Sequence, residues 1–405
     1  MFVSSPRLLT ADEALRILSV RRQTLYAYVS KGWIRSVALP NSREHRYVHE
    51  DVQRVHQRAL ARAGHRAAAS VALSGDTPLI SSAISELRAD GPWYRGHSAL
   101  ELANRNVPFE AVCHLLWQGE LTAPPAADTA PLLAPPPAYS RFQARDSSRW
   151  HQQFASCLLA LNELEQATTY AEAMALLRYA IAYLGHLGPA QKFVPALAGQ
   201  SCVMHLTHSL GLDTSALTQQ SLNRFLITFC EHELSPSTFA VRTAASVGTR
   251  ITTALASALA VTTGRALHGV YTELQLWLQR YPTLSALQNA ATTTLSAGQP
   301  LPGYSHPVYR NQDARSNNLL TYLQTHYPHP PALQTLYQYM AWLSAEYELY
   351  PHHEFACTAF GLALGLPLST IPSLFVVARL PGWIAHFQEQ TEEGQLFRPR
   401  AHFPS

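Results

Sequence analysis

Three segments of the chain place a histidine or a carboxylate at a turn marked by glycine or proline. They are Leu267-His268-Gly269, Pro302-Gly303 followed three residues later by His306, and Pro351 followed three residues later by Glu354. Imidazole and carboxyl groups are the side chains that most often transfer protons in catalysis. The intervals of 38 and 48 residues between the three groups leave room for one or two helices, so helix ends can bring them to one cleft. A lone histidine beside a glycine is more often structural, but the three segments together predict a site with two histidines and one carboxylate.

The elements that would position these groups are predicted to be helices. Of the 405 residues, 47% are hydrophobic and 14% are charged, which fits a large packed protein of two or three folding units. Strand-like alternation is almost absent, so we expect an all-α fold over residues 74–405, with an exposed proline-rich loop at 122–138. The expected helices lie near residues 150–165, 170–185, 193–210, 218–230, 238–263, 270–280 and 315–326.

Composition argues against several classes of protein. The five cysteines are scattered, with no Cys-x-x-Cys pair, so neither a disulfide framework nor a zinc site is expected. The first residues lack the apolar core of a signal peptide, and no apolar run free of polar residues is long enough to span a membrane. We therefore expect a cytoplasmic protein with no zinc site and no membrane partner.

The first 70 residues have an electrostatic character of their own. They contain 12 Arg and Lys against 5 Asp and Glu, net +7, whereas the rest of the chain is net −4. Thr10 and Glu13 form a capping-box pattern that predicts the start of one helix. A second helix should end at Lys31-Gly32, and residues 42–48 predict a small β-wing. A basic module of this kind is typical of proteins that meet polyanions.

This module resembles the winged helix-turn-helix of the MerR and excisionase type over roughly residues 7–58. The resemblance implies a winged helix-turn-helix domain at residues 1–58, joined through a linker helix at 59–73, with double-stranded DNA as a possible partner. A basic docking or oligomerisation module is the alternative. The candidate DNA contacts are Arg21, Arg22, Gln23, Thr24, Tyr26, Arg43 and Arg46.

From about residue 74 to the end, the chain resembles the citrate synthase family. Six motifs appear in the family's order, and the match near the C-terminus is close because Ala-Arg-x-x-Gly-Trp-x-Ala-His-x-x-Glu-Gln is followed by Arg-Pro-Arg. The motifs in this chain are Tyr94-Arg95-Gly96, His232-Glu-Leu-x-x-Ser-Thr-Phe, Leu267-His268-Gly269, Pro302-Gly303-x-x-His306-x-Val308-Tyr309-Arg310, Ala378-Arg379-x-x-Gly382-Trp383 and Arg398-Pro-Arg400.

The resemblance implies an all-helical homodimer with a large domain and a small domain, the small one here at roughly residues 269–360. Members condense acetyl-coenzyme A, or another acyl-coenzyme A, with oxaloacetate or a related 2-oxo acid. The products are citrate and free coenzyme A. The coenzyme A thioester is a substrate, and the resemblance implies no metal and no bound cofactor.

The resemblance also assigns roles to individual residues. Glu354 would take a proton from the acyl group, His268 would hydrogen-bond the enolate oxygen, and His306 would protonate the ketone under attack. The dicarboxylate would be held by His232, Arg379 and, reaching from the partner subunit, Arg398. The coenzyme would be contacted by Leu301, Pro302, Gly303 and Arg310.

Four positions depart from the family's pattern. Glu354 replaces Asp, Pro307 replaces a substrate-binding Arg, Val270 replaces the second Gly of Leu-His-Gly-Gly, and Ser235-Pro236 replaces Asn-Ala. The longer base and the lost arginine bear directly on turnover. A second hypothesis therefore stands beside the enzyme: a DNA-binding regulator whose synthase-like domain senses a coenzyme A thioester or a dicarboxylate.

Overall fold

The computed structural model describes residues 8–18, 20, 22–38, 45–48, 51–52, 55, 80–122, 133–134, 147–161, 167, 169–304, 308–309 and 312–398. The chain divides into two compact units, one of residues 1–81 with 398–405 and the other of residues 82–397. The expected linker at 59–73 and most of the expected loop at 122–138 lie outside the described residues.

The elements with described bounds in the first unit include two short helices and a three-stranded antiparallel sheet of order β1-β3-β2. The predicted capping box is confirmed, because Thr10 Oγ1 accepts from the Glu13 amide while Glu13 Oε2 accepts from the Thr10 amide. Leu25 and Ile34 are buried in a small apolar core of this unit. Its described elements are β1 (Leu8–Leu9), α1 (Ala11–Leu18), α2 (Arg22–Ser30), β2 (Ser36–Ala38) and β3 (His45–Val48).

The second unit is mostly helical, as expected, and one long helix near its C-terminus lies at the centre of its core. By length and composition this helix, α16, could cross a membrane. However, 83% of its most apolar 18-residue stretch is buried inside the protein. The described helices are α3 (Ala99–Asn104), α4 (Phe109–Gln118), α5 (Ser147–Ala160), α6 (Tyr170–Leu184), α7 (Cys202–Leu210), α8 (Ala216–Phe229), α9 (Pro236–Ser246), α10 (Ile251–Thr262), α11 (Val270–Arg280), α12 (Leu284–Ser296), α13 (Ala314–His326), α14 (Pro331–Tyr347), α15 (His353–Ala363) and α16 (Ile371–Glu393).

The expectation of an all-α second unit is wrong in one detail. Residues 85–98 form a small antiparallel sheet of β4 (Ser85–Arg88), β5 (Gly91–Tyr94) and β6 (His97–Ser98). Its strands are at most four residues long, too short for alternation to be recognised against the helical background. The sheet buries Tyr94, whose hydroxyl donates to the Ile227 carbonyl at 3.0 Å.

Two helix boundaries also differ from the expectation. The helix expected at 238–263 is two helices, α9 and α10, because Gly248 has a φ of +73° and Arg250 begins a new helix from an extended conformation. The helix expected at 193–210 begins only at Cys202, where the Ser201 hydroxyl caps it. Helix α9 has Ser235 as its N-cap and Pro236 in its first turn. Serine is a favourable N-cap and proline is favourable at the first helical position, so Ser235-Pro236 can begin this helix in place of the family's Asn-Ala.

Five of the described helices surround the candidate site. α15 packs against α13, α11 and α16, while α16 also packs against α8. The site residues therefore lie at the beginning of α13 and α15, in the middle of α16 and just after α8. This arrangement brings parts of the chain more than a hundred residues apart to one place.

Candidate functional site

Glu354 is buried in the first turn of α15, not in a loop. Its side chain is 8% exposed, and its Oε2 lies 3.4 Å from the Nδ1 atom of His353. Burial raises the pKa of this carboxyl from 4.5 to about 7, although the guanidinium of Arg315 acts in the opposite direction. A carboxyl with a pKa near neutrality can accept a proton efficiently at physiological pH.

Arg315 and Asp313, which the sequence analysis missed, form a buried ion pair beside Glu354. The Nε and Nη2 atoms of Arg315 donate to the two carboxylate oxygens of Asp313 at 3.0 and 2.8 Å. Both side chains are about 1% exposed or less. Burial lowers the pKa of Arg315, but Asp313 more than compensates and raises it above its usual value. Arg315 therefore stays a cation inside the site, fixed in orientation by two hydrogen bonds.

Arg379 provides a second buried guanidinium, from the middle of α16. Its Nη1 lies 3.9 Å from Oε2 of Glu231, too far for a hydrogen bond. Neither atom has a hydrogen-bond partner among the described residues. Burial lowers the pKa of Arg379, and Glu231 opposes that change. A buried donor without a partner is costly, so this site fits a ligand that supplies an acceptor.

Glu231 connects Arg379 to a network of hydrogen bonds behind it. Its Oε1 accepts from Ser85 Oγ at 3.0 Å and lies 3.1 Å from His386 Nε2. Burial alone would raise the pKa of this carboxyl, but His386 and Arg379 together lower it. The carboxylate is thus held ionised and fixed in position, and its negative charge lies beside the Arg379 guanidinium.

His232 follows Glu231 and faces the same region. Its Nε2 atom and the hydroxyl oxygen of Tyr309 are 2.7 Å apart. The guanidinium of Arg315 lies over the ring of Tyr309, with its Cζ atom 5.1 Å from the ring centroid. His232 and Arg315 are therefore linked through one tyrosine, whose side chain lies between them.

Phe375 joins the two arginine-containing parts of the site. The Arg379 Cζ atom lies 5.4 Å from its ring centroid, and the His353 ring lies 5.3 Å from it. Aromatic faces stabilise cations and exclude water. The structure thus brings three sequence-predicted residues, Glu354, Arg379 and His232, into one connected group.

His268 lies in a separate turn just before α11. Residues Arg265–Gly269 form a π-helical turn, a local distortion that is frequent at functional sites. The His268 ring meets the ring of buried His151 edge-on, with centroids 5.4 Å apart. Tyr271, one helical turn further on, has its ring 6.2 Å from that of His353. His268 therefore lies three residues before Tyr271, whose ring contacts that of His353.

His151 is held neutral by its surroundings. Burial lowers its pKa from 6.5 to about 3, and the neighbouring His268 acts in the same direction. The unfolded chain would take up a proton at His151 below pH 6.5, so this group lowers stability as the pH falls from about 6.5 to about 3.

Replacing His151 with phenylalanine should reduce the acid sensitivity of the protein. The aromatic ring and its contact with His268 would be kept, but the titrating group would be lost. Relative to the parent, the free energy of unfolding of His151→Phe is expected to rise by about 2 kcal/mol between pH 7 and pH 5. Urea unfolding at the two pH values measures this, and an equal difference at both would contradict a neutral, buried His151.

Replacing Glu354 with glutamine should have the opposite pH dependence. Folding favours the protonated carboxyl, so the stability associated with this group is lost as the pH rises from 4.5 to about 7. The Glu354→Gln protein is expected to gain on the order of 2–3 kcal/mol over the parent between pH 4.5 and pH 8. A pH-independent difference in urea unfolding would show that the carboxyl is not perturbed.

The structure does not describe every predicted residue. His306, Pro307 and Arg310 are outside the described residues, as are Arg21 and Arg43. Arg398 belongs to the first unit. Their roles remain predictions.

The described part of the predicted coenzyme segment has a packing role of its own. Gly303 has a φ of +79°, and a Cβ atom there would lie 3.2 Å from Cβ of Phe355. The Gly303 carbonyl also accepts from the His352 amide at 2.8 Å. Glycine is thus required to bring Pro302-Gly303 against the start of α15. By contrast, Val270 has ordinary helical angles, with φ −64°, so this turn does not require glycine at that position.

The arrangement combines a near-neutral base with two buried cations, which is suited to proton abstraction beside a bound carboxylate. Within the described ranges, no group of three or more His, Cys, Asp or Glu side chains could hold a metal ion.

A comparison with known families identifies the family of this chain. The profile of the family described as "Citrate synthase, C-terminal domain" matches residues 73–400. The chain belongs to the citrate synthase family.

Two curated relatives illustrate the likeness to citrate synthases. "Citrate/2-methylcitrate synthase" from Bacillus subtilis is 30% identical over 195 residues, 47% of this chain and 52% of that protein, so the chain spans about half the relative's length. "2-methylcitrate synthase" from Shewanella oneidensis is 25% identical over 369 residues, 82% of this chain and 92% of that protein. The second likeness extends over nearly the whole synthase-like part.

The fold agrees with solved citrate synthases. The citrate synthase of Thermoplasma acidophilum, solved as a ternary complex with carboxymethyl coenzyme A and oxaloacetate, superimposes with a TM-score of 0.72. The match covers 82% of this chain and 94% of that one at 17% identity. At this identity the likeness establishes the fold alone.

Proposed function

We propose that the chain condenses a short acyl-coenzyme A with oxaloacetate or a related 2-oxo dicarboxylate, releasing free coenzyme A. The observation that carries this proposal is the buried Glu354 carboxyl, with a pKa of about 7, beside the buried guanidinium of Arg315. Arg379 adds a second buried cation in the same connected group. Membership of the citrate synthase family supports the reaction class.

In the proposed reaction, the ionised Glu354 removes a proton from the carbon next to the thioester carbonyl. The freed electron pair forms an enolate, whose oxygen is stabilised by a hydrogen bond from His268. The enolate carbon then attacks the ketone carbon of the 2-oxo acid, and His306 delivers a proton to the ketone oxygen. Water finally hydrolyses the thioester and releases the thiol. Preorganised donors at the enolate oxygen provide the largest part of such a rate enhancement.

The 2-oxo dicarboxylate would be held by cations and by neutral donors. Arg315 is oriented before the ligand binds by its two hydrogen bonds to Asp313. Arg379 is buried with its Nη1 atom 3.9 Å from the Glu231 carboxylate. A carboxylate placed at Arg379 would accept from the Nη1 donor that lacks a partner in the described structure. His232, next to Tyr309, would contact the oxo acid, and Arg398 of the partner subunit would complete the pocket.

The coenzyme would be bound by the segment around Leu301, Pro302 and Gly303, with Arg310 near its phosphates. Leu301 is buried and Gly303 packs on α15, so a shift of this segment on binding would move the start of α15. Coenzyme binding and the position of Glu354 are therefore expected to be coupled.

The acyl donor is proposed to be acetyl- or propionyl-coenzyme A. Several relatives covering most of the chain are named 2-methylcitrate synthase, and that product contains one methyl group more than citrate. Incubation of each thioester with oxaloacetate, followed by mass spectrometry, tests the proposal. Formation of citrate or 2-methylcitrate would support it, and neither product under conditions where the chain binds oxaloacetate would reject this substrate pair.

DNA binding remains only a sequence-based prediction, because the comparisons give it no support. Of the candidate contacts in the described residues, Gln23 and Tyr26 are exposed. Arg22 is paired with Asp12 at 3.1 Å, which partly neutralises it. The DNA-binding hypothesis would be supported if the chain retains duplex DNA at low salt and this binding falls steeply as the salt concentration rises.

A further inference from the structure

His353 immediately precedes the proposed base and lies among the charged groups of the site. Its Nδ1 atom is 3.4 Å from Oε2 of Glu354 and 3.9 Å from Oδ2 of Asp313. The Nη2 atom of Arg315 lies 3.5 Å from the same nitrogen. The imidazole therefore lies among two carboxylates and a guanidinium. Its Nδ1 atom can accept from Arg315 only in the tautomer that has no proton there, and it can donate to a carboxylate only in the tautomer that has one. Oε2 of Glu354 has no hydrogen-bond partner among the described residues, so it is an acceptor that the second tautomer would satisfy.

The rest of the His353 ring is enclosed by aromatic side chains. The rings of Phe375, Tyr271 and Phe229 have their centroids 5.3, 6.2 and 6.3 Å from it. The side chain is only 12% exposed. An aromatic surrounding alone would suit a fully apolar residue at this position. The polar nitrogen is explained by its contact with the carboxylates.

Glu354 needs such a contact for a geometric reason. Its side chain has one methylene more than aspartate, and therefore one more rotatable bond between the helix and the carboxyl group. A displacement of about 1 Å in a catalytic group can cost on the order of a hundredfold in rate. A hydrogen-bond donor at Oε2 would restrict that freedom while leaving Oε1 available to the substrate.

We propose that His353 is a positioning residue for Glu354, with its Nδ1–H donating to Oε2 when the carboxylate is ionised. The proposal rests on the proposed function for its kinetic consequence. The tautomer of His353 is independent of turnover. The ring carries its proton on Nδ1 because the Glu354 carboxylate accepts a hydrogen bond from that nitrogen. Asp313 and Arg315 complete the surroundings of the same nitrogen, and Tyr271 faces the ring from α11.

Kinetics of two substitutions test the role in catalysis. His353→Asn keeps a side-chain N–H close to the position of Nδ1, whereas His353→Leu keeps volume and loses the donor. For His353→Leu we expect kcat to fall by about 10- to 100-fold, with the KM for oxaloacetate changed less than about threefold. His353→Asn should recover most of kcat. His326→Leu, an exposed histidine at the end of α13, is the matched control and should leave both constants unchanged.

A spectroscopic measurement keeps the inference testable if no turnover is found. In histidine-labelled protein at pH 8, the ¹⁵N signal of His353, assigned by its loss in His353→Asn, should show a proton on Nδ1. In Glu354→Gln that signal should shift, while the His326 signal stays in place. An unprotonated Nδ1 in the parent, or no shift in Glu354→Gln, would overturn the inference. So would a kcat of His353→Leu equal to that of the parent. Absence of condensation in the parent with the ¹⁵N result as expected would reject the proposed function and leave the His353–Glu354 contact standing.

Discussion

Glu354→Gln is expected to lower oxaloacetate-dependent release of coenzyme A by about a thousandfold. Glutamine has nearly the same shape but cannot accept the proton, so the KM values should change little. In the parent, the rate should be half-maximal near pH 7 and reach a plateau above about pH 8, because burial raises the pKa of the Glu354 carboxyl to about 7. Steady-state kinetics between pH 5.5 and pH 8.5 measure both effects.

Two further variants make this result specific. Glu346→Gln changes an exposed glutamate on α14 and should leave the rate unchanged. Glu354→Asp restores the family's usual residue but shortens the side chain in surroundings built for glutamate. We expect it to be at least tenfold slower than the parent. Full activity of Glu354→Gln would remove Glu354 as the base.

Arg379→Gln is expected to raise the KM for oxaloacetate by about a hundredfold or more. The side chain is 5% exposed, and its Nη1 atom lies 3.9 Å from the Glu231 carboxylate. Removing a buried, hydrogen-bonding cation that binds a carboxylate typically costs about 2–5 kcal/mol. The matched control is Arg280→Gln, which removes the same charge from an exposed position at the end of α11. Calorimetric titration with oxaloacetate measures the effect without requiring turnover.

The stability of the Arg379→Gln protein must be measured beside its affinity. Glu231 would keep its contacts with Ser85 and His386, so the fold is expected to survive. Arg379→Lys keeps the charge but loses the bidentate geometry, and it should recover only part of the affinity. Unchanged oxaloacetate affinity in folded Arg379→Gln would show that the 2-oxo acid binds elsewhere.

The sequence predicted the residues whose signals are local. Glu354, Arg379 and His232 stand in short motifs, and the structure brings these three into one group. The helices of the second unit could also be predicted from the sequence, because the helical spacing of apolar residues repeats over many turns. The capping box of α1 was recognised because its two members are only three residues apart.

Other features depend on contacts that a linear pattern cannot show. Asp313 and Arg315 resemble an ordinary helix cap, and only burial reveals the ion pair as part of the site. Glu231 and His386 meet across 155 residues. The Asp-x-Arg spacing just before a helix was the one available signal for Arg315. His353 gave no signal because its role arises from what surrounds it.

The most direct test of the account is a thiol-release assay on the purified chain. Acetyl- or propionyl-coenzyme A is added first and oxaloacetate second, and free thiol is followed continuously. We expect little free thiol before oxaloacetate is added and rapid release after it, with the oxaloacetate-dependent phase absent in Glu354→Gln. Release that does not depend on oxaloacetate, or no release from either thioester by a chain that binds both substrates, would contradict it.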